Sequence, residues 1–360
     1  MKKPSLFRVE RRSALPGHVV VLVSILAIFA ALVAAGIFFQ AYGISAVRAY
    51  QLIVKGALGT RLGLAETVRR AIPLLLCGVG LTIAFRALFW NIGAEGQLLL
   101  GAVAAAGVAL FSGLPDVLLL PAMFIAGFLA GALWGLIPAV LKARLGINDV
   151  ITTLMMNYIA LYLVEWLIHG PWRGPTMRGF AYTDKFPSAA TLPTISWTRI
   201  HWPTLLLGLA VAVLAYVLIT RTRAGFEIRV VGENPEAARF AGISAFKTTL
   251  LVMIISGGLA GLAGVGEAAG IHRMLLGPTS ISMGYGYTAI IVAWLARRNP
   301  LAVIVTSLLF GVIMSGGDVI RVSLGLPFQV INLFNGLILF FLIGSELLMH
   351  YKISFSFRRQ

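Results

Sequence analysis

The chain has 360 residues, of which 59% are apolar and only 12% charged. Soluble domains sit near half apolar and about a quarter charged, and one closed core cannot hide this much apolar surface, so lipid must cover part of the chain. Lys and Arg outnumber Asp and Glu 29 to 13, yet they fall between apolar runs and at both ends, as in the cytoplasmic loops of a membrane protein, so no nucleic-acid partner is expected.

In chain order, Lys2, Lys3, Arg8, Arg11 and Arg12 precede an apolar run over 17–39. That run is too long for the centre of a cleavable signal and reads as a retained helix with its basic flank in the cytoplasm. Further apolar segments lie at roughly 71–87, 95–112, 117–141, 148–168, 203–220, 248–267, 284–296, 300–316 and 328–346. The expected fold class is all-α: a polytopic membrane protein of about ten transmembrane helices, one domain over 1–360, with both termini cytoplasmic. Lys142 with Arg144, the group Arg221, Arg223, Arg229, Arg239 and Lys247, the pair Arg297 and Arg298, and Lys352, Arg358 and Arg359 all fall in predicted inner loops, as orientation by positive charge requires. The stretch 40–70 disagrees, because it would lie outside while carrying Arg48, Lys55, Arg61, Arg69 and Arg70; it reads as a partly amphipathic interfacial segment.

Residues 169–202 form the longest polar outer stretch, rich in proline and edged by Trp166, Trp172, Trp197 and Trp202 at headgroup level. The longest inner stretch, 221–247, has its own helix pattern: Asn234-Pro235-Glu236 as N-cap, first position and acidic first turn, with Gly242 as the stop. An internal duplication is suggested by two segments. Leu145-Gly146-Ile147-Asn148-Asp149-Val150-Ile151, followed by a helix with Asn157, echoes Leu324-Gly325-Leu326-Pro327-Phe328-Gln329-Val330-Ile331, followed by one with Asn332 and Asn335.

Several chemistries lack their residues. Cys77 is the single cysteine, which excludes a disulfide framework or thiolate zinc cluster. No glycine precedes a lysine, so no GxxxxGK[ST] phosphate loop exists, and the five histidines are scattered with no HExxH. No catalytic residues, no metal ligands and no enzymatic activity are expected. Nearly every charge falls at a predicted helix end, Glu95 being the main candidate for a buried one, which disfavours ion-coupled transport.

Between the second and third apolar runs, Asn91-Ile92-Gly93-Ala94-Glu95-Gly96-Gln97 interrupts lipid-like sequence with glycines, amides and a carboxylate. Irregular backbone at membrane depth lines a cavity or is buried in protein, so this is a candidate pore element; it also reads as a plain connection in which Asn91 caps a helix and Glu95 complements its dipole. Gly257 with Gly261, and Gly127, Gly131 and Gly135, have the spacing of close helix packing.

The run Asn91–Ala102 resembles the motif of the nucleoside and simple-sugar permeases of ABC importers, binding-protein-dependent relatives of the branched-chain amino acid and ribose permeases. Gly232-Glu233-Asn234-Pro235-Glu236-Ala237-Ala238-Arg239-Phe240-Ala241-Gly242-Ile243 is similar to that family's coupling helix, and Gly284-Tyr285-Gly286-Tyr287-Thr288-Ala289 through Asn299-Pro300 to its late motif. Trp294 and Ala296-Arg297 depart from it, standing where smaller or glycine-containing sequence is expected.

The resemblance implies a translocation subunit in a bacterial cytoplasmic membrane, working with a cytoplasmic ABC ATPase that binds ATP and Mg, an external substrate-binding protein, and a second permease. Glu95-Gly96-Gln97 resembles the longer of two paired permeases, so the second would be a shorter paralogue, or otherwise this chain itself. Residues Glu233, Asn234, Pro235, Glu236, Ala237, Ala238, Arg239, Phe240 and Gly242 would couple to the ATPase. Glu267 and Arg273 are expected at the outer face as docking points for the binding protein. Asn91, Glu95, Gln97, Asn157, Tyr285, Tyr287, Asn332 and Asn335 are candidates to line the substrate path, although isolated amides also tie helices together. A stand-alone ion-coupled transporter of a small polar solute is the alternative.

Overall fold

A computed structural model describes residues 7–11, 17–176, 179–325 and 351–355, with 333, 336, 337, 340, 341, 344 and 345. Its helices are α1 (Gly17–Ala41), α2 (Ala46–Leu58), α3 (Arg61–Arg86), α4 (Ala94–Phe111), α5 (Asp116–Leu145), α6 (Asp149–His169), α7 (Trp202–Arg221), α8 (Arg223–Glu233), α9 (Pro235–Phe240), α10 (Ala245–Val265), α11 (Pro278–Ser282), α12 (Tyr285–Leu295) and α13 (Ala302–Leu324). A π-helical segment, Gly266–His272, prolongs α10.

Among the described residues, seven helices are long and apolar enough to cross a membrane, and the bent pair α1 and α2, turned by 117°, would make an eighth. The ten expected segments include two that do not enter this count. With 11 residues, α12 is about 16 Å long and too short to cross alone. The segment 328–346, with Asn332 and Asn335, lies outside the described residues apart from single positions.

The all-α fold class holds, with one short addition outside the helices. A strand β1 (Phe7–Arg11) pairs antiparallel with β2 (Tyr351–Phe355), setting Phe7 opposite Phe355, Val9 opposite Ile353 and Glu10 opposite Lys352. Both pieces alternate apolar and polar residues in sequence, the period-two pattern of a strand.

By internal contacts the chain divides into two units, 1–56 with 316–360, and 57–315. In the first, Gly56 meets Val319 and Gly316 meets Ile53, so α2 and the end of α13 pack where no side chain intervenes. The second contains the candidate sites. There α10 makes its largest contact with α5, and α4 packs on both. Glycines explain the closeness: a Cβ on Gly131 would fall 2.2 Å from Gly257 O, one on Gly261 2.1 Å from Gly127 O, and one on Gly101 2.2 Å from Gly261 O. Backbones therefore touch directly, which replaces the missing hydrophobic drive between helices in lipid with dense van der Waals contact.

Helix α3 begins ten residues before the expected span at 71–87, and it brings Arg69 and Arg70 into the interior. Glu267 is also wholly buried, and Asp149 nearly so. The expectation that charges sit only at helix ends, with Glu95 the main exception, is corrected on these residues. Each has a partner far away in sequence or one turn away, invisible to a hydropathy window.

Candidate functional site

The turn from Ala87 to Gly93 joins α3 to α4 and is clamped from outside. Lys142 at the end of α5 donates to Leu88 O at 2.8 Å and to the Asp149 carboxylate at 2.6 Å. The same carboxylate accepts the Trp90 backbone N–H at 2.7 Å, and Thr153 donates to Trp90 O at 3.3 Å. Leu88 is held at φ +51, a left-handed conformation unfavourable for a leucine, so these contacts over-determine the turn.

Beyond it, Asn91 and Gln97 exchange side-chain hydrogen bonds at 2.9 and 3.0 Å, and Asn91 donates a further one to Ser256 of α10 at 3.0 Å. Asn157 of α6 accepts from Gly96 N at 2.8 Å and donates to Ile92 O at 2.9 Å and to the Tyr287 hydroxyl at 3.2 Å. Glu95 accepts from Gly286 N at 2.8 Å, and its carboxylate also draws the Ser282 hydroxyl and the N–H groups of Gly284 and Tyr287. It thereby caps the N-terminus of α12, where Gly284 has φ +73 and a Cβ on Gly286 would fall 2.3 Å from Glu95 N. An anion at a helix N-terminus satisfies donors that have no partner within the helix.

One network thus joins α4, α6, α10 and α12. It gathers Asn91, Glu95, Gln97, Asn157 and Tyr287; of these only Tyr287 is exposed, at 40%. Tyr285 points elsewhere and is fully buried toward Arg69. Ser256 and the Lys142–Asp149 clamp belong to the same construction. The first offers no sequence signal, whereas Asn148-Asp149 could have been recognised as a helix start.

Beyond α8, the short α9 follows its sequence pattern. Asn234 Oδ1 accepts from Glu236 N and Ala237 N, both at 3.0 Å, and Gly242 closes the helix at φ +73. Glu233, Asn234, Pro235, Glu236, Ala237, Arg239 and Gly242 are exposed, and Phe240 is 94% exposed. Ala238 is the correction: it is wholly buried against its own chain and cannot belong to a docking face. Gly232 lies so near α3 that a Cβ there would fall 1.9 Å from Arg86 O, which sets the loop directly on the start of the clamped turn.

The expected docking pair separates. Arg273 is exposed, at φ +57, but Glu267 is enclosed within the π-helical segment, 3.9 Å from Arg69 Nη1 and 3.9 Å from His272 Nε2. Its apparent place at an outer turn came from ending the span at 267; the helical chain runs on to His272.

The departure at Ala296-Arg297 also has a structural counterpart. Arg297 and Arg298 are left-handed, at φ +52 and +58, where glycine is the least strained residue, while Trp294 packs on Trp90 with ring centroids 5.1 Å apart. Among the described residues no group of His, Cys, Asp and Glu converges as a metal site.

Long apolar helices tied together by buried amide bridges, with a short exposed helix α9 beside them, are the build of a membrane transport subunit. Residues 63–343 match the family described as the permease component of the branched-chain amino acid transport system, and the chain belongs to that family. It is similar to the glucose ABC transporter permease protein of Haloferax volcanii, 36% identical over 98% of this chain and 95% of that one. It is also similar to the nucleoside ABC transporter permease protein of Lactococcus lactis, 33% identical over 89% and 90%, and to the guanosine ABC transporter permease protein of Bacillus subtilis, 32% identical over 90% and 93%. The chain is a multi-pass membrane translocation subunit and not an enzyme, and membership implies an ATPase partner and a second permease.

Proposed function

We propose that this chain conducts a nucleoside or a simple sugar through a bacterial cytoplasmic membrane as one permease of an ABC importer. An external binding protein delivers the substrate near 169–202 and Arg273, and ATP with Mg is bound and hydrolysed by the separate ATPase. Both chain ends and the loop 221–247 lie on the cytoplasmic side, as the distribution of Lys and Arg favours. The second permease is a shorter paralogue.

The observation that carries this reading is α9. Phe240 is almost fully exposed on a capped one-turn helix beside Glu236 and Arg239, an apolar knob ringed by charge with no function inside its own fold. The substrate passes along Tyr287, which Asn157 orients, while Asn91, Glu95 and Gln97 hold the surrounding helices. Nucleoside and sugar are proposed because relatives covering nearly the whole chain carry glucose, nucleoside and guanosine in their names.

The test is coexpression with the neighbouring subunits, copurification in mild detergent, and uptake of radiolabelled guanosine and D-glucose. Phe240→Asp should leave the permease folded but lose the ATPase and the uptake together. Intact ATPase binding and normal ATP-driven uptake in that variant would refute the docking assignment, and uptake of neither probe class by the wild type would refute the substrate assignment.

A further inference from the structure

Where α3, the π-helical segment and the start of α12 meet, the interior holds polar atoms that make no hydrogen bond. Glu267 is fully buried and neither carboxylate oxygen accepts a hydrogen bond. The Nε2 atoms of His201 and His272 are likewise buried without partners, and the Tyr285 hydroxyl has only the Arg69 guanidinium beside it. Buried polar groups are almost always paired, so a concentration of orphans calls for a missing partner. The spacing says what kind. Arg69 Nη1 and His272 Nε2 each stand 3.9 Å from Glu267 Oε2. That is about 1 Å too long for a direct bond, so an oxygen that bonds both sides must sit beside each pair rather than between its two atoms.

The groups are also held in place. Arg69 is anchored through Nε to Glu66 at 2.6 Å, and Nδ1 of His201 engages the Thr204 hydroxyl. The His201 ring lies over Gly270, where a Cβ would be only 2.8 Å from it. A π-helical turn is uncommon and frequently marks a functional site.

We infer that this junction is a subsite for the hydroxyl groups of a neutral sugar or ribose ring, with Glu267 and Arg69 reading a vicinal diol and His272 and Tyr285 completing the set. A hydroxyl donates and accepts at once, so a diol can donate to the carboxylate while accepting from the guanidinium, as no cation or anion can. Cations are opposed by Arg69 and Arg199, and anions by Glu66 and Glu267. Waters fill the role when no ligand is bound. Glu66 and Arg199, the latter 59% exposed, lead from the cluster to the surface. Along α10 the site lies about 33 Å from the helix start beside α9, at the end of the chain's helices away from the coupling loop. The inference rests on the proposed sugar or nucleoside substrate.

The test is saturation-transfer NMR on the full chain in lipid nanodiscs with guanosine and D-glucose, against 2′,3′-dideoxyguanosine and hypoxanthine, which lack the diol. Saturation should fall on the diol-bearing ring protons, and Glu267→Gln should weaken apparent affinity for guanosine or glucose about 10-fold or more, the scale of a bond to a charged group. It should leave whatever weak binding the diol-free probes show unchanged. Should Glu267→Gln fail to fold, His272→Gln, at a partly exposed position, reads the same loss. Absence of diol saturation in a wild type that still drives uptake would overturn the subsite and spare the permease assignment, as would equal affinities in wild type and variants. Diol binding by a wild type whose assembled importer takes up no nucleoside or sugar would overturn the substrate assignment instead.

Discussion

Removing the Glu95 carboxylate tests whether α12 is held at its start by that single side chain. Glu95→Ala strands Gly286 N–H, now bonded at 2.8 Å, together with the N–H groups of Gly284 and Tyr287 that face the same carboxylate. Each buried donor left without a partner costs about 1–3 kcal/mol, and water entering the vacated volume recovers part of it, so the loss is about 3–5 kcal/mol. Glu95→Gln keeps an accepting oxygen in place and should cost only about 1–2 kcal/mol. At about 2–4 °C per kcal/mol, the alanine variant should unfold about 6–20 °C below the wild type and the glutamine variant about 2–8 °C below. Thermal unfolding of the purified chain in nanodiscs, followed by tryptophan fluorescence, measures both. An alanine variant melting within about 2 °C of the wild type would show that α12 does not depend on this cap.

Gly131→Val would push a side chain into Gly257 O, 2.2 Å from its Cβ, where backbone cannot yield; loss of more than about 3 kcal/mol should appear as a collapse of monodisperse membrane yield. Lys142→Met leaves Asp149 with only the Trp90 and solvent contacts and should cost about 1–2 kcal/mol, most of it restored by adding Asp149→Asn; additive losses in that double-mutant cycle would refute the clamp. Burial, and then the charge of Arg69, push His201 down to about 4. Folding therefore excludes its charged form: stability is full above the unfolded value near 6.5 and falls as pH drops from there toward 4, by up to about 3 kcal/mol. His201→Asn should flatten that part of a melting-against-pH curve, and an unchanged slope would remove His201 as its cause.

Helix α9 was legible in the sequence because its rules are local. Asn234, Pro235 and Gly242 specify a start and a stop within nine positions, whatever the rest of the chain does. The glycine spacing on α5 and α10 was legible for the same reason. Which way a short helix turns its faces depends on its neighbours, so Ala238, expected among the coupling residues, is instead buried on the helix's inner side. The interior charges were hidden more deeply. Arg69 and Glu267 are 198 positions apart, and each alone looks like the edge of an apolar run; only the fold puts them 3.9 Å from one another. The network around Asn91 was half visible: its residues stood out as polar in apolar surroundings, but their mutual bonds make most of them bridges between helices.

The backbone-to-backbone contact of α4, α5 and α10 has a mechanical consequence. Advancing any of these helices by one residue, a rise of 1.5 Å, would bring a Cβ-bearing neighbour to where only a hydrogen now fits. The three are keyed together like interlocked teeth and can travel only as one piece. Whatever play a transport cycle requires must come from beyond these keys, as in the stretch 273–284 around the one-turn α11, because α12 is itself keyed to α4 where Gly286 lies against the Glu95 backbone.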